Sequence, residues 1–570
     1  MPIIERRRRV PGSENWRWPG NTHPVLRQVL SCRPMASPDE LQLTLSRLRP
    51  VGGFDALEAA VELLCLHRGG SVMIVGDFDA DGATSTSLVF LCLKDLGFAQ
   101  VGFFIPDRFE LGYGLTPEVV ERVKKHSPTL IVTVDNGITS IEGVAAARAA
   151  GIDVLITDHH LPGAELPDAN AIVDPNLPGD TFAGKNLAGV GVAFYLLAAL
   201  GRELGEPGCA AQYLDLVALG TMADLVPLDH SNRILIDEGL RRIRAGRCRP
   251  GLRALCQVSS IAHNETTGTT LAYQLAPRLN AAGRLDDMTV GVRCLISTSE
   301  QDALAFATQL DALNRERRMI EARMKNDALQ LVDADQLLGI GPLPTVVCLF
   351  RDDWHEGVVG LVASRLKDRC HRPVFAFAPT DTGQLKGSGR SVPGFHLRDA
   401  LAAVNAASPG LITRFGGHAM AAGLSLHSEG LAEFQAAMER VGDERLGPEH
   451  LAQRILTDGE LQVADLTADV ATRLRDAGPW GQGFPEPVFE GKFELLNQRI
   501  VGGKHLKMTV KLAAAASRLE AIAFNRLPGE WREGDILQLV YRLTLNDYFA
   551  GPPIQLVVEH IEFDAGMKSH

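Results

Sequence analysis

The 570-residue sequence lacks the features that mark secreted and membrane proteins. Its nine cysteines include no Cys-x-x-Cys pair, and they lie mostly in apolar surroundings such as Leu64-Cys65-Leu66. This pattern predicts reduced thiols in the core of a cytoplasmic protein. The first residues contain no apolar segment of the signal-peptide type. No apolar run approaches the length of a bilayer span, so we expect no membrane association.

The sequence also lacks an excess of positive charge. Its 57 Lys and Arg residues are outnumbered by 69 Asp and Glu residues, which gives a formal net charge of −12. A protein that coats duplex DNA usually presents a broad basic face, so the charge argues against that class. Net charge averages over the whole surface and does not exclude a local basic channel. Any contact with DNA is therefore expected to lie in a groove.

The chain is too long for one hydrophobic core and is expected to form several domains. Residues 1–48 are rich in Arg and Pro, with a weakly helical stretch from Pro38 to Leu48, and the run Arg6–Arg9 is expected to be a solvated tail. Residues 49–298 alternate strand-like and helix-like stretches, which is the pattern of a parallel sheet with helices.

The second half of the sequence predicts three further parts. Residues 299–333 form a long helix candidate that begins with a capping signal at Ser299 and Asp302. We interpret this helix as a solvated connector, with a helix that lines a DNA channel as the alternative. Residues 334–455 return to α/β alternation. Residues 456–570 contain five alternating segments that predict a small β-barrel, most simply an OB-fold.

Acidic residues and a histidine pair follow four apolar runs, which we interpret as buried parallel strands. The runs are Val72–Gly76, Leu130–Val134, Val154–Thr157 and Leu214–Thr221, and the polar residues after them are Asp77, Asp79, Asp81, Asp135, Asp158, His159, His160 and Asp224. In an open α/β sheet such residues converge beyond the carboxyl ends of the strands. Converging carboxylates repel one another unless a cation lies between them. Oxygen ligands with one or two imidazoles favour Mn²⁺ or Mg²⁺.

Each acidic residue also has a simpler interpretation. An Asp at a strand end is commonly the N-cap of the next helix, and this applies to Asp135 and Asp224 taken alone. The Asp77-x-Asp79-x-Asp81-Gly82 run is spaced like an EF-hand loop, but no Glu follows at the twelfth position and the flanks are a strand and a helix. The ordered set of four motifs therefore favours a metal site.

These motifs, in this order, resemble the DHH phosphoesterase superfamily and, within it, the RecJ family of bacterial single-strand-specific 5′→3′ DNA exonucleases. The resemblance runs from about Val51 to Phe563. It includes the segments Ala276-Pro277-Arg278-Leu279-Asn280-Ala281-Ala282-Gly283-Arg284-Leu285, Trp354-His355-Glu356-Gly357, Lys386-Gly387-Ser388-Gly389-Arg390-Ser391 and Gly416-Gly417-His418-Ala419-Met420-Ala421-Ala422-Gly423. It implies a DHH domain and a DHH-associated domain joined by the long helix, followed by an OB-fold.

The resemblance implies a two-metal phosphodiesterase with a defined catalytic set. Asp135 would bridge two Mn²⁺ or Mg²⁺ ions. Asp79, with Asp77 nearby, would hold one ion. The other would be held by Asp81, His159 and Asp224, and His160 would face the substrate phosphate.

The resemblance also nominates residues that bind nucleic acid. They are Arg108, Arg278, Asn280, Ser388, Arg390 and His418. Among them, Arg108, Ser388 and Arg390 correspond to a pocket for the 5′ phosphate, with Arg390 expected in a flexible Gly-Ser-Gly-Arg-Ser loop. Gly416 and Gly417, beside His418, would let the backbone approach a phosphate closely. In the barrel, candidates for gripping single strands are Lys504, Lys507, Lys511, Arg518 and Tyr548.

Two other functions compete with this interpretation. A DHH phosphodiesterase that acts on nanoRNA or cyclic dinucleotides would match residues 50–430, but such enzymes are shorter and lack the C-terminal barrel. A non-catalytic DNA-binding scaffold would have lost metal ligands, and every expected ligand is present. The favoured prediction is an exonuclease of DNA recombination and repair. Single-stranded DNA would be its substrate, and the resemblance implies a RecQ-type helicase and single-strand-binding protein as partners.

Overall fold

The structure is a computed structural model that describes residues 2–51, 54, 56–337, 343–380, 383–512, 517–546 and 553–563, without the side chains of residues 333–337. The chain divides into two units. The larger unit comprises Ile4–Gly283, Asp287–Leu310 and Leu456–His570, and the smaller unit comprises Met1–Ile3, Arg284–Asp286 and Asp311–Ile455. No helix in the described ranges has both the length and the apolar character of a membrane span.

The N-terminal segment is more ordered than the sequence predicts. Strand β1 (Ile3–Arg6) is followed by helix α1 (Pro24–Leu30), which the sequence analysis missed, and by single 3-10 turns at Pro38–Leu41 and Leu45–Arg47. The prediction of a solvated arginine tail is wrong for Arg7, whose side chain is 18% exposed and lies 3.7 Å from Asp458. The sequence could not reveal this because the compensating carboxylate is distant along the chain.

A five-stranded parallel sheet forms the core of the larger unit, as the alternating pattern predicts. Its strand order is β3-β2-β4-β5-β6. The strands are β2 (Ser71–Gly76), β3 (Gln100–Phe104), β4 (Leu130–Val134), β5 (Asp153–Thr157) and β6 (Ala171–Val173), and the helices among them are α2 (Leu57–Leu66), α3 (Ala80–Asp95), α4 (Pro117–Val123) and α5 (Ile141–Ala149). The apolar runs of β2, β4 and β5 are buried, which is typical of strands covered on both faces. Their carboxyl ends meet at one edge.

The described chain after β6 is helical up to the smaller unit. These helices are α6 (Gly189–Glu203), α7 (Leu214–Ala223), α8 (His230–Arg244), α9 (Pro250–Val258), α10 (Gly268–Thr270), a π turn at Leu271–Leu275, α11 (Ala276–Leu285) and α12 (Thr289–Ile296). The predicted strand Leu214–Thr221 is therefore wrong, since these residues lie in α7. Its residues are buried almost all round, and a short, mostly apolar run does not distinguish a buried helix from a buried strand.

Helix α13 (Glu300–Leu337) begins in the larger unit and continues into the smaller one. The hydroxyl of Ser299 accepts a hydrogen bond from the Asp302 amide at 3.3 Å, as the capping signal predicts. The smaller unit contains a second five-stranded sheet with the order β10-β11-β9-β8-β7. Its elements are β7 (Val347–Phe350), α14 (Val359–Cys370), β8 (Val374–Pro379), β9 (Gln384–Arg390), α15 (Leu397–Ala407), β10 (Ile412–Gly417), β11 (Ala421–His427), α16 (Leu431–Arg445) and α17 (Pro448–Leu451).

The Gly-Ser-Gly-Arg segment is a strand, and the predicted flexible loop is wrong. It lies in β9, between β8 and β11 in the middle of the sheet. A Cβ at Gly387 would come within 2.4 Å of the Phe377 ring, and a Cβ at Gly389 within 2.5 Å of the Phe375 ring. These glycines therefore allow close packing against aromatic side chains.

The C-terminal residues form the predicted barrel. Strand β12 (Arg454–Thr457) pairs with β1, and α18 (Ala468–Asp476) precedes a closed barrel with the strand order β13-β14-β15-β17-β16. The barrel strands are β13 (Phe489–Val501), β14 (His505–Leu512), β15 (Arg518–Ala523), β16 (Ile536–Leu545) and β17 (Ile554–Phe563). Buried and half-exposed residues alternate along them, as period-two patterning predicts. Tyr548, a candidate contact for single strands, lies outside the described residues.

Candidate metal centre and active site

The acidic loop that follows β2 is held tightly. Asp79 is the N-cap of α3, and its carboxylate accepts a hydrogen bond from the Gly82 amide at 3.0 Å. The Asn280 side chain accepts a hydrogen bond from the Ala80 amide at 2.8 Å. A Cβ at Gly82 would lie 2.4 Å from the carbonyl oxygen of Asp77, so only glycine fits there. Asn280, predicted to bind nucleic acid, thus contacts the loop that carries Asp77, Asp79 and Asp81.

Asp135 follows β4 in a left-handed conformation, with a φ of 61°. It is 2% exposed, and its amide donates to the carbonyl of Thr157 at 3.0 Å. A Cβ at Gly189, at the start of α6, would come within 2.7 Å of the Asp135 side chain. The backbone of α6 therefore closes one side of the Asp135 carboxylate.

Asp158 orients the histidine pair. Its carboxylate accepts hydrogen bonds from the amides of His159, His160 and Ile138 at 2.7, 3.1 and 3.0 Å, and it lies 2.7 Å from Nδ1 of His160. With both oxygens engaged, Asp158 serves to position His160. The sequence motif includes this residue, but its role as an orienting group was missed.

His159 links the remaining acidic residues. Its Nε2 lies 3.1 Å from Oδ1 of Asp135 and 3.6 Å from Oδ2 of Asp224. Asp224 is the C-cap of α7, so a helix end, and not a strand end, presents this carboxylate. Asp81 accepts hydrogen bonds from the amides of Gly189 and Val190 at 2.7 and 3.0 Å. Gly189 is the first residue of helix α6, and the N-termini of helices bind anions. A glycine at the start of a helix is therefore the feature of the sequence that indicates this contact with Asp81.

The predicted ligands converge into three overlapping groups, and within each group the candidate ligand atoms lie within 4.8 Å of one another. The groups are Asp77, Asp79 and Asp135; Asp81, His159 and Asp224; and Asp135, His159 and His160. Asp135 and His159 each belong to two groups. The carboxyl edge of the sheet and the end of α7 therefore bring all seven side chains into one cluster.

The electrostatics of this cluster call for a cation. Burial, with the neighbouring carboxylates adding to it, raises the pKa of Asp77, Asp135 and Asp224 well above the usual range. Burial and the charge of Asp79 raise the pKa of Asp81 to about 7. Oδ1 of Asp77 and Oδ1 of Asp135 are buried and accept no hydrogen bond from the described residues. Such oxygens, with one or two imidazoles, fit Mn²⁺ or Mg²⁺.

His160 differs from the other members of the cluster because it is held as a cation. Burial lowers its pKa, but the hydrogen bond and charge of Asp158 outweigh that effect and raise the pKa to about 9. Tyr113 lies beside it, with its hydroxyl 3.4 Å from His160 Nδ1 and donating to the carbonyl of Asp135 at 3.3 Å. The sequence analysis missed Tyr113, although two flanking glycines with positive φ, Gly112 and Gly114, mark it as a special turn.

Two of the predicted phosphate-binding arginines lie in the larger unit. The guanidinium of Arg108 stacks over the ring of Phe78, 4.7 Å from its centroid, and Phe78 lies between Asp77 and Asp79. Arg278 is 8% exposed and donates to the carbonyl of Gln274 at 2.5 Å. Arg108 is therefore directly beside the acidic loop, whereas Arg278, in α11, bonds to the preceding π turn.

The other candidates lie in the smaller unit. Nη1 of Arg390 donates to the Ser388 hydroxyl at 3.0 Å and to the Gly389 carbonyl at 2.8 Å. A Cβ at Gly360, in the first turn of α14, would lie 2.9 Å from both Nη2 of Arg390 and Oγ of Ser388. His418 is exposed in the turn between β10 and β11. Arg390, Ser388 and the first turn of α14 thus pack against one another, and this group is called the Arg390 recess below.

The metal-free protein is expected to become less stable as the pH rises from about 5 to 8. A carboxyl whose pKa is higher in the folded state, such as Asp81, stabilises the protein below the unfolded value and loses that contribution as the pH rises through the folded value. His160, whose pKa is about 9, shifts stability in the same direction. We expect a change on the order of a few kcal/mol in the free energy of unfolding, measured by urea denaturation in a chelator.

Saturating Mn²⁺ is expected to flatten this pH dependence and to raise the melting temperature most at pH 8, because the ion neutralises the carboxylates that repel one another. Equal stability at pH 5 and pH 8 in the chelator would contradict a cluster of buried, mutually repelling acids.

Comparisons with known proteins agree with this geometry. Three family models match the chain: the DHH family N-terminal domain over residues 71–221, the DHHA1 domain over residues 343–442 and the RecJ OB domain over residues 457–560. The single-stranded-DNA-specific exonuclease RecJ of Salmonella typhimurium is 46% identical over 568 residues, which cover 97% of this chain and 98% of that protein.

Solved structures of a RecJ from Thermus thermophilus are also similar. The complex with Mn²⁺ has a TM-score of 0.83 and 29% identity, and the match covers 99% of this chain and 80% of that one. The complex with Mg²⁺ has a TM-score of 0.77 and 26% identity, with coverage of 99% and 79%. Both ions predicted from the ligand chemistry are thus found in structures similar to this one.

Proposed function

The chain belongs to the RecJ family of single-stranded-DNA-specific exonucleases, and from this membership we propose how its residues perform the reaction. The protein is a metal-dependent exonuclease of single-stranded DNA that uses Mn²⁺ or Mg²⁺. The observation that carries the mechanism is the convergence of seven acidic and imidazole side chains in one partly buried cluster. The C-terminal barrel argues against a nanoRNA or cyclic-dinucleotide phosphodiesterase, and the complete ligand set argues against a non-catalytic scaffold.

Two ions would be held by two of the ligand groups. Asp77, Asp79 and Asp135 would hold one, and Asp81, His159 and Asp224 would hold the other. The two groups are adjacent, since Oδ1 of Asp135 lies 3.1 Å from Nε2 of His159. When bound, a pair of ions lowers the pKa of a water molecule and neutralises charge on the phosphoryl oxygens. The left-handed turn at Asp135 and the close approach of Gly189 fix the shared carboxylate.

His160 and Arg108 would supply positive charge to the substrate. His160 is 31% exposed at the side chain and carries a proton at neutral pH because Asp158 raises its pKa. It can therefore donate a hydrogen bond to a phosphate oxygen while Asp158 fixes the orientation of the ring. The guanidinium of Arg108 is stacked on Phe78 and is thereby held beside the acidic loop, where it can contact a phosphate.

The recess at Arg390 would bind the terminal 5′ phosphate and so set a 5′→3′ direction. A guanidinium, a hydroxyl and the first turn of α14 surround it, and each is suited to an anion. Burial lowers the pKa of Arg390 within this recess. A terminal phosphate would compensate the buried guanidinium, whereas an internal phosphate carries less charge and is flanked on both sides by chain.

Replacing Arg390 with alanine is expected to remove the preference for a 5′ phosphate. Charge-assisted hydrogen bonds contribute about 1.5–3 kcal/mol, so KM for a 5′-phosphorylated strand should rise about 10- to 100-fold while KM for a 5′-hydroxyl strand changes little. Steady-state kinetics on both substrates measure this. Arg369→Ala, an exposed arginine at the other end of α14, serves as the control. An equal loss on both substrates would contradict the proposed pocket.

The barrel would grip the strand through exposed basic residues. Lys507 and Lys511 are engaged with Glu520 and Glu494, each at 2.9 Å. Lys504 and Arg518 are exposed and are the better candidates.

Removing both Lys504 and Arg518 by alanine substitution is expected to weaken binding of long single strands uniformly across sequences. The slope of log affinity against log salt should fall by about one for each lost phosphate contact. Fluorescence anisotropy at several salt concentrations measures the slope. Lys507→Ala is the matched control, and its effect on the slope should be smaller because Lys507 is paired with Glu520. An unchanged slope would show that the barrel contacts DNA elsewhere.

The wider role is proposed as DNA recombination and repair in the cytoplasm, beside a RecQ-type helicase and single-strand-binding protein. All nine cysteines are free, as expected in a reducing compartment.

The reaction is tested by digesting 5′- and 3′-labelled single and double strands with Mn²⁺ and with chelator. The proposal expects nucleotides to be released from the 5′ end of single strands, and only with metal. Release from the 3′ end first would overturn the proposed direction. Co-purification with the two partners tests the assembly.

A further inference from the structure

A cavity of about 480 Å³ opens in the larger unit directly beyond Asp224. Its lining combines four segments that are distant in sequence. Leu225 follows the candidate metal ligand Asp224, Tyr273 lies in the π turn, Trp480 precedes the barrel, and Arg542 lies on barrel strand β16. The cavity therefore reaches from the residue next to the metal centre to the barrel. Its volume is large enough for one nucleobase with part of its sugar.

Two exposed residues at the mouth of this cavity, Tyr273 and Leu225, have unusual backbone conformations. Tyr273 is 64% exposed and lies in the π turn Leu271–Leu275, a rare geometry that is frequent at functional sites. Leu225 is 53% exposed and has a φ of 59°, which non-glycine residues seldom adopt. An exposed aromatic ring next to a nuclease site offers a stacking platform that any base can use.

The walls of the cavity are fixed before any ligand binds. The indole NH of Trp480 donates to the Leu474 carbonyl at 2.9 Å, and its ring stacks on Phe484 at 5.2 Å. The Leu228 amide donates to the Gln482 carbonyl at 2.8 Å. This second bond joins the segment after Asp224 to the segment before the barrel. A preformed cavity binds its ligand with little ordering cost.

The charges in the cavity distinguish a base from a phosphate. Arg542 is held between Glu486 at 2.5 Å and Glu559 at 2.9 Å, so two carboxylates share one guanidinium. The group is net negative and disfavours a phosphate. Carboxylate oxygens can accept hydrogen bonds from the amino and ring N–H groups of a nucleobase.

We infer that this cavity is a nucleobase-binding subsite for the substrate strand, in which Tyr273 stacks on one base. The inference rests on the proposed function and adds to it a contact between the metal centre and the barrel. The subsite lies in the larger unit, so it is distinct from the phosphate recess at Arg390 in the smaller unit. Because stacking tolerates every base, it would hold the strand in place without imposing a sequence.

The test is an abasic scan. A 5′-phosphorylated oligothymidylate of about 20 nucleotides is prepared with one abasic residue at successive positions, and KM and kcat for release of the first nucleotide are measured for the unchanged chain and for Tyr273→Ala and Tyr273→Phe. For the unchanged chain we expect one internal position at which the missing base raises KM about tenfold with little change in kcat. Tyr273→Ala should raise KM for the intact strand by a similar factor and should show no further rise at that position. Tyr273→Phe should behave like the unchanged chain.

A second variant makes the test independent of Tyr273. Leu225→Gly keeps the left-handed turn and removes the exposed side chain, so it should also raise KM for the intact strand and lessen the abasic effect at the same position. The subsite would be overturned if the dependence of KM on the position of the abasic residue were the same in all variants. It would also be overturned if Tyr273→Ala left KM for the intact strand unchanged. Hydrolysis by the unchanged chain with a flat profile would refute the subsite alone, whereas the absence of metal-dependent hydrolysis would refute the proposed function.

Discussion

Replacing Asp135 with alanine is expected to lower the rate of single-strand hydrolysis on the order of a thousandfold or more. Asp135 belongs to the group that would hold one ion and lies 3.1 Å from His159, which belongs to the group that would hold the other, so its loss should affect both proposed ions. The fold should survive, because the native carboxylate is buried with a raised pKa and its removal relieves repulsion in the metal-free protein. Steady-state hydrolysis and urea denaturation, measured on the same preparations, separate these two effects.

Two matched variants control this experiment. Asp135→Asn keeps the size of the side chain and removes the charge, and should be nearly as inactive. Asp153→Asn changes a carboxylate at the opposite end of the same sheet, where Asp153 lies 2.9 Å from His67, and should keep full activity. Near-normal turnover by Asp135→Ala would contradict a catalytic role for the cluster.

Replacing Asp458 with alanine is expected to destabilise the larger unit by about 3–5 kcal/mol. Arg33 and Asp458 are both fully buried, with two contacts at 2.7 and 2.9 Å. The Arg33 Nε also donates to the Pro485 carbonyl at 2.8 Å. The pair therefore joins the N-terminal segment to the chain just before the barrel. Without the carboxylate, a buried guanidinium has no compensating charge, and Arg7 close by adds to the cost.

The unfolding free energy in urea measures this effect. The double variant Arg33→Met with Asp458→Leu should recover part of the lost stability, because replacing both partners leaves no buried charge. Arg473→Gln breaks the exposed pair with Asp469 and should leave stability nearly unchanged. A stability of Asp458→Ala equal to that of the parent chain would show that the buried pair does not anchor the N-terminal segment.

Much of the metal centre is predictable from the sequence, because its geometry follows from local rules. Asp77, Asp135 and Asp158 each end a short apolar run, and parallel strands place their carboxyl ends at one edge. The same rule misassigned the run before Asp224. That run is rich in Leu and is buried on all sides, so periodicity could not separate a helix from a strand. Asp224 still reaches the cluster from the end of α7.

Features that depend on distant contacts could not be predicted. The partner of Arg33 lies 425 residues away. The prediction of a solvated tail at Arg6–Arg9 is wrong at Arg7 for the same reason, because Arg7 lies beside the same distant carboxylate, Asp458. The glycines of β9 illustrate another limit. A glycine permits either a flexible loop or close packing against a ring, and only the neighbouring Phe375 and Phe377 decide between them. Tyr113 and the cavity at Tyr273 likewise arise from tertiary packing.

The most direct test of the central claim is the number and coupling of Mn²⁺ ions that the protein binds. Equilibrium dialysis, with electron paramagnetic resonance on the same samples, measures both quantities for the unchanged chain and for Asp135→Ala. The proposed arrangement predicts two ions per chain, with the spectrum of a coupled pair about 3.5–4 Å apart, and loss of that coupling in the variant. A single ion, or two ions without coupling in the unchanged chain, would contradict a shared two-metal centre at Asp135.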